Sequence, residues 1–310
     1  MYKLLNQHVV LGSGLVGSIL AKLLAESGNQ VIIASRSGKG PEHKNIVCAK
    51  ANASSFIDLY SLSDKPKVIY NCVNPPYHKW KTEWPPISNS LNEYAEKTQA
   101  VLVTCSNLYG YGPHEDVLTE DLPLNAKWTN GRVRADMWLA AKALNDSKKI
   151  RATEVRGSDY IAASDQSRMG DRVVPNLVKG KKIQLLGAID QLHTWTDPED
   201  VARLMIVVGQ DEKAWGKPWH VPSNEPKTQL QVVKDISNAL GVPVPNVSSV
   251  PLAMQKLIGI FNPVVKELLN SNYQFDGPFI MSDTKTRNTF GLTPKKWDKV
   301  IDDLVSAYKN

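Results

Sequence analysis

The sequence predicts a doubly wound parallel α/β sheet with a smaller C-terminal lobe, and three observations predict it. An apolar run, Val9-Val10-Leu11, feeds Gly12-Ser13-Gly14-Leu15-Val16-Gly17 and then a helical pattern through Ile19, Leu20, Leu23 and Leu24. Short apolar runs of strand length alternate with helical stretches up to about residue 157, the rhythm of parallel strands joined by crossover helices. Beyond that point the alternation loosens, as it does where a second lobe begins.

Taken in order, each element has a local reason. Gly12 permits a tight strand-to-helix turn, Gly14 lets a pyrophosphate approach the backbone, and Gly17 lets helix and strand pack closely. The free N–H groups at the start of that helix suit phosphate oxygens. Gly28-Asn29 stops the helix, and Val31–Ala34 is a short strand of the kind parallel sheets bury. Further strands are expected at Ile46–Ala49, Val68–Cys72, Val101–Cys105 and Ala152–Arg156, with helices over about 54–63, 87–99 and 131–147. There follow a helix near 172–179, a strand at Ile183–Leu186, a helix over Pro198–Gly209, a strand at Trp219–Val221 and an amphipathic helix over Gln229–Leu240. The last helix is expected to begin at Thr293-Pro294, a capping residue before a proline suited to the first helical position. Trp297, Ile301, Leu304 and Tyr308 then recur on its inner face. The expected division is a dinucleotide-binding Rossmann domain over 1–160, with 190–215 returning to it, and a substrate lobe from 161–189 and 216–310.

Composition narrows the partners. The 310 residues are 42% hydrophobic and 22% charged, ordinary values for a globular chain. No apolar run approaches the ~20 residues that cross a bilayer. The first strand begins too close to residue 1 to leave room for a signal peptide. Cys48, Cys72 and Cys105 are widely spaced, without CxxC or Cys/His ligand spacing, which points to a reducing, cytoplasmic location and to no metal. The net charge of +6 comes from scattered lysines and arginines, a solvated surface rather than a nucleic-acid face. A small molecule is the expected partner, with neither nucleic acid nor membrane.

The coenzyme is read from the end of strand two. An acidic residue there, about 20 residues past the glycines, bonds the ribose 2′-hydroxyl of NAD. This chain has Ser35-Arg36-Ser37-Gly38 instead. Two hydroxyls and a guanidinium suit a 2′-phosphate, so NADP is expected ahead of NAD.

Five segments occur in a telling order: Gly12–Gly17, Val101-Leu-Val-Thr-Cys-Ser-Asn-Leu-Tyr-Gly110, Glu154-Val-Arg-Gly-Ser-Asp-Tyr160, His193-Thr-Trp-Thr-Asp-Pro-Glu-Asp-Val-Ala-Arg203 and Phe290-Gly-Leu-Thr-Pro294. With them the chain resembles, over most of its length, the extended short-chain dehydrogenase/reductase superfamily in its NAD(P)-dependent epimerase/dehydratase branch. The resemblance implies the Rossmann fold, a nicotinamide dinucleotide and, by default, a homodimer paired through four helices. It also implies a Tyr-x-x-x-Lys helix after the strand-five turn, assisted by a serine or threonine. There, lysine and coenzyme lower the tyrosine pKa so that the phenol exchanges a proton with substrate oxygen. At the matching positions this chain has Asn130 for tyrosine, Arg134 for lysine and Cys105 for the hydroxyl residue, with Ser106 beside it. Asparagine is no general acid at neutral pH. Arg134 keeps a cation for the nicotinamide ribose.

A Tyr-x-x-x-Lys spacing does occur at Tyr77-His-Lys-Trp-Lys81, but between Pro75-Pro76 and Pro85-Pro86, where prolines disfavour a regular helix. Its segment leaves strand four at the carboxyl edge, where such sheets bind ligands. Tyr77 is therefore the leading substitute proton donor, followed by Tyr109 and Tyr111; alternatively Tyr77, Trp80 and Trp84 form an aromatic wall. Asn52, Asn71, Cys72, Val73, Gly157 and Ser158 join the opening glycines and Ser35–Ser37 as expected coenzyme contacts. Trp80, Asn107, Asp159 and His193 join Tyr77 and Tyr109 as expected substrate contacts. Asp159 alternatively bonds its own turn, and His193 alternatively plays a structural part. His114 falls in a candidate lid loop. Three functions follow, in this order: an NADP(H)-dependent oxidoreductase reducing a small carbonyl compound, a non-enzymatic NADP(H)-binding sensor, and a sugar-nucleotide epimerase or dehydratase. The strand-two residues and the apolar Pro75–Pro86 loop favour the first. Loss of the catalytic residues favours the second, and kinship the third.

Overall fold

The apolar runs form strands because most of them are buried on both faces, as parallel strands covered by helices must be, only the edge run Ile46–Lys50 being half exposed. In the computed structural model, which describes residues 7–261 and 269–309, seven of them make one sheet. They are β1 (Gln7–Leu11), β2 (Gln30–Ser35), β3 (Ile46–Lys50), β4 (Val68–Asn71), β5 (Val101–Asn107), β6 (Arg151–Gly157) and β7 (Pro218–His220). All run parallel in the order β7-β6-β5-β4-β1-β2-β3, so the sheet winds outward in both directions from β1 and β4. Helices α1 (Leu15–Glu26), α2 (Phe56–Leu62), α3 (Trp80–Thr98) and α4 (Thr129–Asp146) connect them. The later helices are α5 (Val174–Val178), α6 (Pro198–Gln210), α7 (Gln229–Leu240), α8 (Leu252–Phe261), α9 (Tyr273–Asp276), α10 (Thr284–Phe290) and α11 (Trp297–Ser306).

The chain divides into two compact units. The first holds residues up to Gly110, then Leu124–Gly157 and Val201–Val221; the second holds Tyr111–Pro123, Ser158–Asp200 and the chain from Pro222. This differs from the expected division at four places, the first being that Ser158, Asp159 and Tyr160 fall in the second unit. The strand near Trp219 pairs with β6 and so belongs to the sheet, not to the substrate lobe. Residues 190–200 and 111–123 fall in the second unit.

In the first unit, Val9, Leu11, Ile69 and Leu102 of the strands pack on Trp80, Trp84, Leu91 and Tyr94 of α3 and on Met137 of α4. Each such side chain contributes about 2 kcal/mol by leaving water. This packing explains why α3 begins at Trp80 rather than near residue 87. Pro85 and Pro86 lie inside it and remove two backbone donors. Trp80 and Trp84, 2% and 0% exposed, bury enough surface to hold the turn nonetheless.

His8 of β1 is completely buried and stacked on Tyr70 of β4, with ring centroids 5.8 Å apart. Burial, and then the charge of Lys67, lowers its pKa from 6.5 to about 4. The folded chain therefore keeps a neutral imidazole where the unfolded chain accepts a proton. Stability is expected to fall as pH drops from 6.5 towards 4, by up to about 3 kcal/mol from this group. Urea midpoints at pH 7.5 and 4.5 check this: His8→Phe should show a smaller acid loss than the parent, and an equal loss would refute it.

The second unit has its own core, built from Met169, Leu177, Ile183, Val232, Ile236, Phe275, Ile301 and Leu304. Short strand pairs brace it. Asp159–Tyr160 runs parallel to Trp195–Thr196, Leu192–His193 antiparallel to Lys227–Thr228, and Ile183–Leu185 parallel to Val247–Ser249. Thr228 and Gln231 form a reciprocal capping box that starts α7, and Gly241, at φ 69°, ends it.

The last helix starts at Trp297, not at Thr293-Pro294, because Lys295 pins the preceding segment in another conformation. Its N–H donates to Asp200 (2.8 Å), and its Nζ reaches Glu199 (2.6 Å), Asp303 (3.1 Å) and Asp197 (3.4 Å). Burial works against the Lys295 charge, but these carboxylates outweigh it and hold the ammonium well above its usual pKa. Lys295→Met strands the buried Asp197 carboxylate and should cost about 3 kcal/mol by urea unfolding. A loss under about 0.5 kcal/mol, the range of an ordinary surface substitution, would show the network to be inert.

Candidate functional site

The glycine turn between β1 and α1 is sterically closed to any side chain at two positions. Gly12 sits at φ 97°, and a Cβ there would lie 2.5 Å from the Cys72 carbonyl oxygen; at Gly17 it would lie 1.9 Å from the Gly12 carbonyl oxygen. Gly14 is the N-cap of α1, and Ser18 is bonded to the Gly14 carbonyl at 2.9 Å. The amides of Leu15, Val16 and Gly17 belong to the first turn, where a helix has no carbonyl of its own to offer. No acidic residue occupies that turn. Room without side chains, aimed amides and absent negative charge are what a diphosphate requires. The turn after β4 forms the neighbouring wall: buried Asn71 accepts the Val73 N–H through Oδ1 (3.2 Å), and burial, with Cys105 nearby, raises the Cys72 thiol pKa.

At the end of β2, the Ser35 and Ser37 hydroxyls lie 3.2 Å apart, and Ser37 Oγ accepts the Lys39 N–H. Arg36 is exposed beside them. Ser35 pairs in register with Lys50 of β3. Asn52 is engaged locally: its Oδ1 accepts from the Ser54 N–H and hydroxyl, and its own N–H donates to Asp58.

Two tyrosines converge at the carboxyl edge of the sheet. Tyr77, in a short 3-10 turn after β4, and Tyr109, in another after β5, place their hydroxyls 3.2 Å apart. Both are partly exposed. Tyr77 stacks on Trp80 at 4.7 Å, and Trp80 donates from Nε1 to Pro75. Asn107 accepts the Tyr109 N–H and so shapes its turn. Gly131 of α4 lets that helix approach: a Cβ there would lie 2.5 Å from the Tyr109 carbonyl oxygen. Arg134 is 4% exposed; it donates to the Cys105 carbonyl at 2.6 Å and its guanidinium lies 4.8 Å from the Trp84 ring centroid. Asn130 is buried in the first turn of the same helix. Trp84 is a core residue rather than a wall, and Lys81, on α3, points to solvent. His114 accepts the Asp116 N–H in its own exposed turn.

In the second unit a polar cluster gathers residues far apart in sequence. His193, 1% exposed, has Nε2 at 3.0 Å from Asp159 and 3.3 Å from the Ser158 hydroxyl, with Nδ1 at 3.1 Å from the Gln274 carbonyl. Arg168 donates from Nε to Asp159 at 3.3 Å and lies 3.7 Å over the Phe275 ring. Burial pushes the Asp159 carboxyl pKa up, but His193 and Arg168 outweigh it and hold it below the usual value. Asp159 is therefore an ion-paired group rather than a turn-former. The sequence carried no periodic or motif signal for Arg168, which only the tertiary fold brings beside it. Among the described residues, no cluster of His, Cys, Asp and Glu is arranged to hold a metal, and no helix is long and apolar enough to cross a membrane.

The glycine turn and the seven-stranded parallel sheet define a doubly wound α/β chain of the extended dehydrogenase type. The chain belongs to the NAD dependent epimerase/dehydratase family, whose sequence profile matches residues 9–221. A dTDP-glucose 4,6-dehydratase of Escherichia coli (strain K12) is 27% identical over 158 residues, 47% of this chain and 43% of that protein. The chain thus matches less than half the length of this curated relative. Among solved structures, the fold is shared with dTDP-glucose 4,6-dehydratase of Bacillus anthracis in complex with NAD, at TM-score 0.78 and 18% identity over 98% of this chain and 97% of that one. It is shared equally with UDP-glucose 4-epimerase of Thermotoga maritima with UDP-glucose, at TM-score 0.79 and 14% identity over 98% of each chain.

Proposed function

We propose that this chain is an enzyme that binds a nicotinamide dinucleotide and acts on an oxygen-bearing carbon of its substrate, with the Tyr77–Tyr109 pair handling the proton. The pair of phenols 3.2 Å apart at the sheet edge carries this reading. A bound nicotinamide supplies or takes the hydride. The amides opening α1 bind the diphosphate, and Gly12 and Gly17 keep its bed clear of side chains. Tyr77 holds the exchangeable proton at Oη, and Tyr109, bonded to it, resupplies it. Asn130, at the family's tyrosine position, has no proton to exchange at neutral pH. Arg134 serves as a positioning residue that ties Trp84 to the Cys105 carbonyl rather than as a ribose ligand.

The relatives named above act on dTDP-glucose or UDP-glucose, which favours a sugar nucleotide as substrate over the small carbonyl compound expected from the sequence. Carbonyl reduction is the second reading, favoured by the basic end of β2, since NADP accompanies reductive work. The coenzyme we propose is NADP, although the Bacillus anthracis structure is a complex with NAD. Ser35, Arg36 and Ser37 support this, with no carboxylate among them to repel a 2′-phosphate.

Calorimetry with NADP+ and NAD+ tests the coenzyme. Arg36→Ser should weaken NADP+ by about 10- to 100-fold, the worth of a charge-assisted hydrogen bond, and leave NAD+ unchanged. Equal loss for both would remove the NADP assignment, and no binding of either would remove the whole reading. Product analysis then separates the chemistries. An altered sugar nucleotide without net coenzyme loss identifies an epimerase or dehydratase, whereas NADPH consumption with aldehydes or ketones identifies a reductase. Tight NADPH binding without turnover of either class would leave the non-enzymatic sensor.

A further inference from the structure

We infer that Cys72 and Cys105 form a dithiol modification site beside the glycine turn, that a low-molecular-weight disulfide oxidises the pair to an internal disulfide, and that closing it loosens the diphosphate bed. The thiol pair rests on the geometry of the sheet alone; its coupling to the coenzyme rests on the dinucleotide reading above.

The geometry follows from strand register. β4 and β5 run parallel and pair as far as Asn71 with Thr104, and the next residue on each is a cysteine. Cys105 stays within β5, opposite Val155 of β6. The Cys72 N–H continues the ladder to β1, donating to the Leu11 carbonyl at 2.8 Å. The two cysteines thus occupy neighbouring places across a strand spacing of about 4.8 Å. Disulfides span Cα separations of about 4.4–6.8 Å, a range that includes it. The pair also shares a face. Ile69 and Leu102 pack into the core under α3 and α4, and Thr104 lines a cavity with Met137 and Trp138 of α4. Side chains alternate along a strand, so Cys72 and Cys105 point to the opposite face. A Cβ at Gly17 of α1 would lie 3.2 Å from the Cys72 Cβ, which places that side chain on the α1 face.

Both side chains are reduced and partly exposed, so a small reagent reaches them. One cysteine thiolate attacks a sulfur of glutathione disulfide, forming a mixed disulfide and releasing one glutathione. The other attacks that cysteine's Sγ, forming the Cys72–Cys105 bond and releasing the second glutathione. Both thiol protons end on the two glutathiones, and the two electrons lost by the cysteine sulfurs reduce the reagent disulfide. Burial, and then Cys105, keeps the Cys72 thiol protonated at neutral pH, so oxidation is slow and quickens as pH rises. A disulfide sets its Cβ atoms about 3.8 Å apart, so closure draws Cys72 about 1 Å towards β5. Cys72 is packed against the turn, its carbonyl oxygen 2.5 Å from where a Gly12 Cβ would lie. The turn moves with it, and with the turn the amides of α1.

The test equilibrates the full-length protein with mixtures of glutathione and glutathione disulfide, then alkylates and digests it for mass spectrometry. Exposed Cys48 is the internal control, the mixture being made more oxidising until Cys48 carries glutathione. The expected product is a peptide pair joined through Cys72 and Cys105, lacking two hydrogens and separated by dithiothreitol. Cys72→Ser should stop at glutathione on Cys105. Calorimetry then uses Cys48→Ser, in which only the pair can react. Its oxidised form should bind NADP+ about 5- to 150-fold more weakly than its reduced form, the usual range of coupling between two sites. By reciprocity, saturating NADP+ should disfavour the disulfide by the same factor. Glutathione on Cys48 without a Cys72–Cys105 link would overturn the site, and a link that leaves NADP+ affinity unchanged would overturn the coupling. Reduced protein that binds neither NADP+ nor NAD+ would instead overturn the dinucleotide reading, and the peptide link alone would then decide the thiol pair.

Discussion

Tyr77→Phe is expected to lower turnover by about 10²- to 10⁴-fold, the usual contribution of a positioned general acid or base. The substitution removes one hydroxyl and leaves the ring, which still stacks on Trp80 at the observed 4.7 Å. Dinucleotide affinity should therefore stay within about twofold, since no diphosphate contact changes. Tyr109→Phe should cost less, about tenfold, because in the proposed arrangement it interrupts resupply of the proton and not its transfer. Steady-state kinetics and NADPH titration on the substrate identified by product analysis separate these effects. Activity of Tyr77→Phe within a few-fold of the parent would remove the tyrosine from the chemistry, and equal losses from both variants would reduce the pair to an aromatic contact.

Gly12→Ala should lower stability by about 3 kcal/mol and weaken the dinucleotide at least about 100-fold. Two causes add. The alanine must adopt φ 97°, which L-residues resist, and its Cβ would lie 2.5 Å from the Cys72 oxygen, 2.7 Å from the Cys72 carbonyl carbon and 2.9 Å from the Val73 nitrogen. All three are backbone atoms, so no side chain can turn aside. Relief must come from moving the turn itself, and the amides of α1 move with it. Gly28→Ala is the matched control: φ is 84°, yet no atom lies within 4 Å of its Cβ position. It should cost about 1 kcal/mol and leave binding intact. Urea unfolding and calorimetry on the pair decide the matter, and equal binding by the two variants would show that the turn is not the diphosphate bed.

Much of the first unit could be read before any coordinates. The strand-glycine-helix passage at 9–17 is local, because a β1 of five residues and an α1 of twelve are specified by adjacent apolar and glycine positions. The same holds for β2, β4, β5 and β6, whose buried runs are near-continuous. The helix that carries Asn130 and Arg134 could also be read, over 131–147 as against the observed Thr129–Asp146. What failed was decided by packing at a distance. Pro85 and Pro86 argue against a helix in isolation, but Trp80 and Trp84 bury themselves under the sheet and the helix forms around them. Thr293-Pro294 has the form of a helix start, but Lys295 is bonded to Asp197, Glu199, Asp200 and Asp303 and holds the segment outside the helix.

The site divides along the same line. Residue type and short-range spacing were enough to point to a glycine turn opening the first helix, a basic end to strand two, and Asn130 and Arg134 in the helix after strand five, because each depends on neighbours within a turn or two. Only the folded chain decided that the Arg134 guanidinium lies against Trp84 and the Cys105 carbonyl, that Tyr77 meets Tyr109, and that His193 and Arg168 converge on Asp159. Those contacts join residues 29, 32, 34 and 9 positions apart. A side chain's direction across such a distance is set by which surfaces exclude water around it, and no periodicity along the chain records that.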